Sequence, residues 1–328
     1  MNFLILKTID PYLNLAIEEY LFEYSDEDIF MLWQNEPTVV IGKNQNALAE
    51  INMNYLKENN IHIARRITGG GAVYHDLGNI NYTFISSKNN SNEINFEYYT
   101  RPIIKALNNL GINAKLSGRN DLLVGDKKFS GSAQHAKSGR VLHHGTLLFD
   151  SDLNVLTNVL NVDEEKIKSK AIKSTRSRVI NLKELLDNSF TPEKFIDYIS
   201  AYINSTFSPK TVSAPMNDTV IALTSRNRSD NWLFSSSKLV SDYNTRKKIR
   251  YPFGIVDIFI QISNRMIKDI NIFGDFFGTS DIKKLEQEIS GMYIDKVYEK
   301  IYSLKIEEYI SGMNSDYLIE HIKSMLEQ

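Results

Sequence analysis

The sequence predicts an α+β fold: a mixed, largely antiparallel sheet flanked by helices, then a small C-terminal ββααα accessory domain. Three observations carry this. Stretches of period-two alternation recur in pairs joined by glycine turns, as in "NDLLVGDKKFSGSAQ" and "KSGRVLHHGTLLFD". Capped amphipathic runs such as "DPYLNLAIEEYLF" and "TPEKFIDYISAYINSTF" fall between other such stretches. A fresh strand–strand–helix pattern starts at Gly254, after a stretch over 208–248 in which periodicity fades. The expected division is therefore 1–246 and 247–328.

Each element follows from local chemistry. "FLILKTI" reads as a strand. In the next run Asp10 caps a helix, Pro11 suits its first turn, and Leu13, Ile17, Tyr20 and Leu21 fall on one face. "DIFMLWQ" and "TVVIGKN" are strands separated by a turn at Glu36-Pro37. A short helix over Asn52 to Asn59 leads into the strand "IHIARRI", and "NINYTFIS" alternates as a further strand. After a helix around Tyr98 to Leu110 comes a hairpin turning at Gly125-Asp126, then the turn "KSGR" and the strand "VLHHGTLLFD". Helices capped by Asn181 and Thr191 extend the layer, and the helices are expected on one face of the sheet. "SPKTVSAPMND" and "NTRKKIRYP" read as loops, with Arg246, Lys247, Lys248 and Arg250 as a solvated linker in preference to a phosphate patch.

Composition narrows the function. The chain has 328 residues, is 42% hydrophobic with 16 Phe and 17 Tyr, and so has material for a sizeable core. A formal net charge of -2 gives no sign of nucleic acid or an acidic membrane as partner. The N-terminal apolar run, Phe3 to Leu6, is too short for a signal peptide, and no stretch is long enough to span a bilayer. A cytoplasmic, soluble, monomeric protein is expected. There is no cysteine, which excludes disulfides, Cys-ligated zinc and thiol nucleophiles.

Three constellations carry chemistry. In "RRITGGGAVYHD", Arg65 and Arg66 precede Gly69, Gly70 and Gly71, and Ala72, Val73, Tyr74, His75 and Asp76 follow. The glycines match neither a dinucleotide fingerprint nor a P-loop. Bare backbone nonetheless offers unhindered N–H donors for an anion, and arginine forks bind phosphate or carboxylate. A glycine turn with surface arginines is the bland reading; the charged and aromatic neighbours favour a site. In "GRNDLLVGDKKFSGSAQ", Lys127 suits an exposed edge, and alternation puts Lys128 on the opposite face with Ser130 and Ser132, towards the pocket. His143 and His144 face opposite ways and are expected to be structural; no histidine pair has the helical spacing of a zinc site.

These stretches, with "NLAIEEYL", "VVIGKNQN", "STRSRVINLKELL" and "GDFFG", resemble the bacterial lipoate–protein ligases in order and spacing over nearly the whole chain. The resemblance implies a biotin/lipoate ligase-like catalytic domain over 1–246. It also implies ATP-dependent activation of free lipoate to lipoyl-AMP with release of pyrophosphate, then transfer to a lysine of an acceptor. The usual acceptors of the family are the H protein and the lipoyl domains of 2-oxoacid dehydrogenase acyltransferases. Lys128 matches the family lysine that touches the carboxylate and the α-phosphate. Arg66, Gly69, Gly70, Gly71, Ala72, Val73, Tyr74, His75 and Asn120 match the adenylate-binding residues. Arg176 and Arg178 match phosphate contacts of the covering loop, and Asp121 is a candidate Mg²⁺ ligand.

One stretch departs from the family. Before the small domain, relatives commonly read W-x-F/Y-G-x-[SA]-P-x-F, whereas this chain has "WLFSSSKLV" over 232–240, without the glycine and the proline. Closure or acceptor choice is expected to differ there. Two related enzyme classes are disfavoured. ATP-free acyl-transferases of this fold use a cysteine thiolate, and biotin ligases carry G-R-G-R-x-G; neither feature is present. A non-catalytic lipoate-binding protein is disfavoured by Lys128.

Overall fold

The structure is a computed structural model that describes residues 1–87, 95–160, 178–234 and 243–326. They form two compact units. The first comprises Met1–Val40, Ile51–Arg65 and Val73–Leu233; the second comprises Ile41–Glu50, Arg66–Ala72 and Phe234–Gln328. Residues 41–50 and the glycine run thus belong with the C-terminal residues.

The strands of the first unit run β1 (Asn2–Ile5), β2 (Ile29–Trp33), β3 (Thr38–Ile41, whose last residue is counted with the second unit), β4 (His62–Arg65), β5 (Val73–His75), β6 (Asn79–Ser87), β7 (Ala114–Ser117), β8 (Asp121–Val124), β9 (Lys127–Lys137), β10 (Arg140–Leu148) and β11 (Lys210–Thr211). Eight of them form one sheet in the order β11-β1-β2-β6-β10-β9-β8-β7, and a small sheet has the order β4-β3-β5. In the large sheet β1 pairs in parallel with β2 and β11, and the neighbours from β2 to β7 pair antiparallel. The predicted mixed, largely antiparallel sheet is what forms.

Alternation assigns its two faces. Ile80, Tyr82 and Phe84 point into a core with Tyr99, Ile103 and Leu107 of helix Phe96–Asn109 and Phe195, Ile199 and Ile203 of helix Pro192–Phe207. Each such buried side chain contributes roughly 1.5–3 kcal/mol. On the opposite face Thr83 and His144 meet Glu18 of helix Pro11–Tyr24. The helices therefore cover both faces, not one.

That helix begins as expected: the Asp10 carboxylate accepts the N–H of Tyr12 at 2.9 Å and of Leu13 at 3.3 Å. Its buried face is different from the expected one. Asn14, Leu15, Ile17, Glu18 and Phe22 are buried, while Leu13, Tyr20 and Leu21 are only half-buried. Two polar residues enter the interior because partners await them. Glu18 accepts from Thr83 Oγ1 at 2.7 Å and lies 2.9 Å from His144 Nδ1; the Asn14 amide reaches Asn35 Oδ1 at 2.9 Å.

In the second unit β12 (Thr245–Tyr251), β13 (Gly254–Ser263) and β14 (Met266–Gly274) form an antiparallel meander. Positive φ at Asn264 and Arg265, 51° and 58°, makes the β13–β14 link a tight primed turn. Helices Ile282–Ile289, Ile294–Ser303 and Ser315–Leu326, with the short Ile306–Tyr309, bury an apolar core against this sheet. The basic run is strand β12 and not a linker. Arg246 donates to both oxygens of Asp257, Lys247 Nζ to the Ser324 carbonyl at 3.2 Å, and Lys248 Nζ lies 3.8 Å from Glu50. The stretch over 208–234 likewise holds helices Asp218–Arg228 and Asp230–Phe234. Among the described residues no helix is long and apolar enough to cross a membrane.

Candidate active site

Hairpin β8–β9 turns at Gly125, whose φ of +62° suits glycine. Leu123 pairs with Lys128, yet Leu122 pairs with Ser130 and Asp121 with Gly131. Phe129 is the extra residue of a β-bulge, and its ring is wholly buried in the core. The bulge reverses the alternation. Lys128 shares a face with Asp121 and Gly131, whereas Ser130 and Ser132 join Leu122 and Tyr82 on the core side. Ser132 Oγ lies 3.0 Å from Tyr82 OH there. The expectation that Lys128 faces with Ser130 and Ser132 is overturned for that reason; Lys127 is exposed, as expected.

Lys128 Nζ lies 2.7 Å from Asp121 Oδ1, with both side chains about 39% exposed. A Cβ added to Gly131 would stand 3.1 Å from Nζ and 3.3 Å from Cε, so the ammonium occupies the space that glycine leaves. The main chain of Lys128 is held too. Its N–H donates to the Arg178 carbonyl at 2.7 Å, and its carbonyl accepts the Ile180 N–H at 3.0 Å. Arg178 is thereby brought beside Lys128, with its side chain exposed. Arg176 lies outside the described residues. Asn120 is tied to the same strand: its Nδ2 donates to the Ser132 carbonyl at 2.6 Å, and its carbonyl accepts the Ser132 N–H at 2.9 Å.

The two strand histidines have the structural partners expected of them. Gln134 Nε2 donates to His143 Nδ1 at 2.8 Å, and the Tyr99 ring stacks on the imidazole at 5.2 Å. Burial, with His144 next to it, holds the His143 pKa well below 6.5, so the ring is neutral. The Tyr82 phenol beside it is pushed up to about 12, chiefly by burial.

In β5, Val73 pairs with Val40 and Tyr74 with Val39. Tyr74 is buried, which raises its pKa, helped by Asp76 and Asp152. His75 takes a hydrogen bond at Nδ1 from Asn35 Nδ2 at 3.0 Å and packs edge-on against Trp33. That donor assigns the remaining ring proton to Nε2. Asp76 is a turn former: its oxygens accept the N–H of Gly78 at 2.9 Å and of Asp152 at 2.8 Å.

The two arginines divide. Arg65, in the first unit, is buried and donates to the carbonyls of Trp232 and Leu233, while Trp232 Nε1 donates back to its carbonyl at 3.0 Å. Burial lowers its pKa to about 10. It fastens the end of helix Asp230–Phe234. In the second unit Arg66 Nη2 donates to the carbonyls of Gly69 and Gly71, each at 2.8 Å, and Nε donates to Thr68 Oγ1 at 3.0 Å. A trans peptide points its N–H opposite to its C=O. The N–H groups of Gly70 and Ala72 therefore face away from the guanidinium.

Bare backbone is needed at specific points of this loop. Gly70 has φ +91°, and a Cβ on Gly69 would stand 2.3 Å from the Phe276 carbonyl oxygen. A Cβ on Gly42 would stand 2.1 Å from the Gly70 oxygen. At Gly71, by contrast, the nearest atom to an added Cβ is Asp275 Cβ at 4.0 Å. The sequence marks the glycines but not their partners, and it gives no sign of Gly131 as the seat of the lysine. Among the described residues no group of three or more His, Cys, Asp or Glu is arranged to hold a metal.

Residues 10–204 match the lipoyl protein ligase A/B catalytic domain family, and residues 241–322 match the bacterial lipoate protein ligase C-terminus. The chain is 41% identical to lipoate-protein ligase LplJ of Bacillus subtilis over 297 residues, covering 89% of this chain and 88% of that one. The structure of LipL1 of P. falciparum in complex with lipoate has a TM-score of 0.80 at 28% identity and covers 100% of this chain and 99% of that one. Lipoate-protein ligase A bound with ATP has a TM-score of 0.59 at 26% identity, over 71% of this chain and 98% of that one. From the N-terminal catalytic region to the C-terminal domain, the chain belongs to the lipoate–protein ligase family.

Proposed function

We propose that Lys128 is the cation that brings two anions together in an ATP-dependent lipoate ligation. Lipoate's carboxylate oxygen attacks the α-phosphorus of ATP, the bond to the bridging oxygen breaks, and pyrophosphate leaves. A lysine ε-amine of the acceptor then attacks the carbonyl of lipoyl-AMP. An amide forms, AMP leaves, and the amine loses a proton. The observation that carries this reading is the Lys128 ammonium, held partly exposed on the sheet face by Asp121. A positive charge fixed where two negative groups converge stabilises the charge that builds in the transition state.

The glycine loop takes the adenylate in this reading. Arg66 shapes it by binding the Gly69 and Gly71 carbonyls, which leaves the N–H groups of Gly70 and Ala72 as donors. The resemblance also assigns Val73, Tyr74, His75 and Asn120 to the adenylate and Arg178 to its phosphate; Arg176, assigned with it, lies outside the described residues. Mg²⁺ accompanies the triphosphate. In this structure the Asp121 carboxylate, the candidate Mg²⁺ ligand, is paired with Lys128 Nζ at 2.7 Å. The acceptors are the H protein and the lipoyl domains of 2-oxoacid dehydrogenase acyltransferases, served by a cytoplasmic monomer. The N-terminal region carries the catalysis, and the C-terminal region, with strand β12 (Thr245–Tyr251) wholly inside it, is the accessory domain.

The test is intact mass of lipoyl acceptor domains incubated with the protein, lipoate and Mg²⁺, with and without ATP. A gain of one lipoyl group that requires ATP and survives thiol alkylation supports the reading. Transfer without ATP overturns it.

A further inference from the structure

We propose that Asp121 and Gly131 are positioning residues for Lys128, which they seat as a unit; this rests on the reading of Lys128 given above. A lysine has four rotatable bonds and a compact, strongly hydrated charge, so strand geometry alone does not place its ammonium. Three features of the hairpin do. The bulge at Phe129 turns Lys128 onto the face of Asp121 and Gly131, which stand opposite each other in the register. The absent side chain at Gly131 leaves a slot. Any Cβ there would sit 3.1 Å from Nζ, 3.3 Å from Cε and 3.9 Å from Asp121 Oδ1. Asp121 Oδ1, 2.7 Å from Nζ, closes the far end of that slot.

The arrangement suits a cation that must be both placed and released. An ion pair this exposed holds weakly, so an incoming phosphate or carboxylate oxygen competes for the ammonium without a large penalty. The backbone bonds of Lys128 to Arg178 and Ile180 keep the root of the side chain fixed while its tip changes partner. A metal-ligand role for Asp121 gives Gly131 no part. A positioning role makes the two residues equivalent, since a carboxylate removed and a slot filled both unseat the same ammonium.

The experiment compares Asp121→Asn, Gly131→Ala and the double variant with Lys128→Ala. It measures pyrophosphate release, the Mg²⁺ concentration for half-maximal rate, melting temperature, and calorimetric binding of a non-hydrolysable ATP analogue with Mg²⁺. Displacing a reacting group by a fraction of an ångström costs roughly tenfold in rate. Both single variants are expected to lose about that much in kcat, with KM for ATP, analogue affinity and Mg²⁺ requirement unchanged within about twofold. The double variant is expected to lose little more than the worse single one, because both act through one group. Wild-type kcat in Gly131→Ala, or an Asp121→Asn defect that excess Mg²⁺ repairs, overturns the inference. Should Gly131→Ala melt early, Asp121→Asn, which adds no heavy atom, decides by the same kcat and Mg²⁺ criteria. If Lys128→Ala itself releases pyrophosphate normally, the functional reading fails; if it is inactive while the other variants are normal, only this inference fails.

Discussion

Substituting Gly69 and Gly71 by alanine separates the loop's structural requirement from its ligand requirement. At Gly69 the new Cβ would lie 2.3 Å from the Phe276 carbonyl oxygen and 3.2 Å from the Phe277 ring. Ordinary contact begins at 3.4 Å, so two backbone segments of the second unit must part by about 1 Å. Overpacking of this kind costs about 1–3 kcal/mol. For a chain of 328 residues, at about 1.5 °C per kcal/mol, Gly69→Ala is therefore expected to lower the melting temperature by roughly 1–5 °C. At Gly71 an added Cβ has 4.0 Å to its nearest neighbour and the backbone is not left-handed, so Gly71→Ala should leave the melting temperature where it is. Its effect should be on ligands: the apparent constants for lipoate and ATP rise together, because both share the loop. The assay is thermal denaturation followed by circular dichroism, paired with steady-state pyrophosphate release. A stable Gly69→Ala beside a destabilised Gly71→Ala would refute the reasoning.

Burial keeps His143 neutral in the folded chain, whereas the unfolded chain protonates it below about 6.5. The unfolded state then binds more protons, so stability falls as pH drops through that value towards the lower folded pKa. His143→Gln should reduce this acid loss by about 1.4 kcal/mol per pH unit between roughly pH 6 and 5, measured by urea unfolding. His321, whose pKa is also lowered by burial, acts with the same sign and stays as background in both proteins; an unchanged acid slope contradicts the assignment. Arg65→Lys should lose the fork on the Trp232 and Leu233 carbonyls, at about 1.5–3 kcal/mol for hydrogen bonds from a charged donor. Melting temperature should fall while lipoate and ATP constants hold; the opposite pattern would return Arg65 to the ligand site.

The large sheet was legible because its strands keep period-two alternation and its turns carry glycine at φ > 0, as at Gly125. The caps at Asp10 and Thr191 were legible for the same local reason. What escaped depends on partners distant in the chain. The buried stripe of the first helix carries Asn14 and Glu18, which look solvent-facing until Asn35, Thr83 and His144 meet them. Strand β12 reads as a linker because its cations pair with Asp257 and Glu50, and neither partner is adjacent in sequence. At the site, "GGG" and Lys128 announce themselves. The bulge at Phe129 does not, since an extra residue leaves the composition of a strand unchanged while reversing which side chains share a face. Residues 235–242, where the chain departs most from the family's usual wording, lie outside the described residues.

The central claim concerns Lys128, and one measurement addresses it most directly: pyrophosphate release from lipoate and ATP by Lys128→Ala, with Lys127→Ala as control. Removing a single electrostatic contact of this kind costs on the order of a hundredfold or more in rate. The account expects that loss in Lys128→Ala at an unchanged melting temperature, and near wild-type release in Lys127→Ala, whose side chain is exposed. Near wild-type pyrophosphate release by folded Lys128→Ala would contradict it.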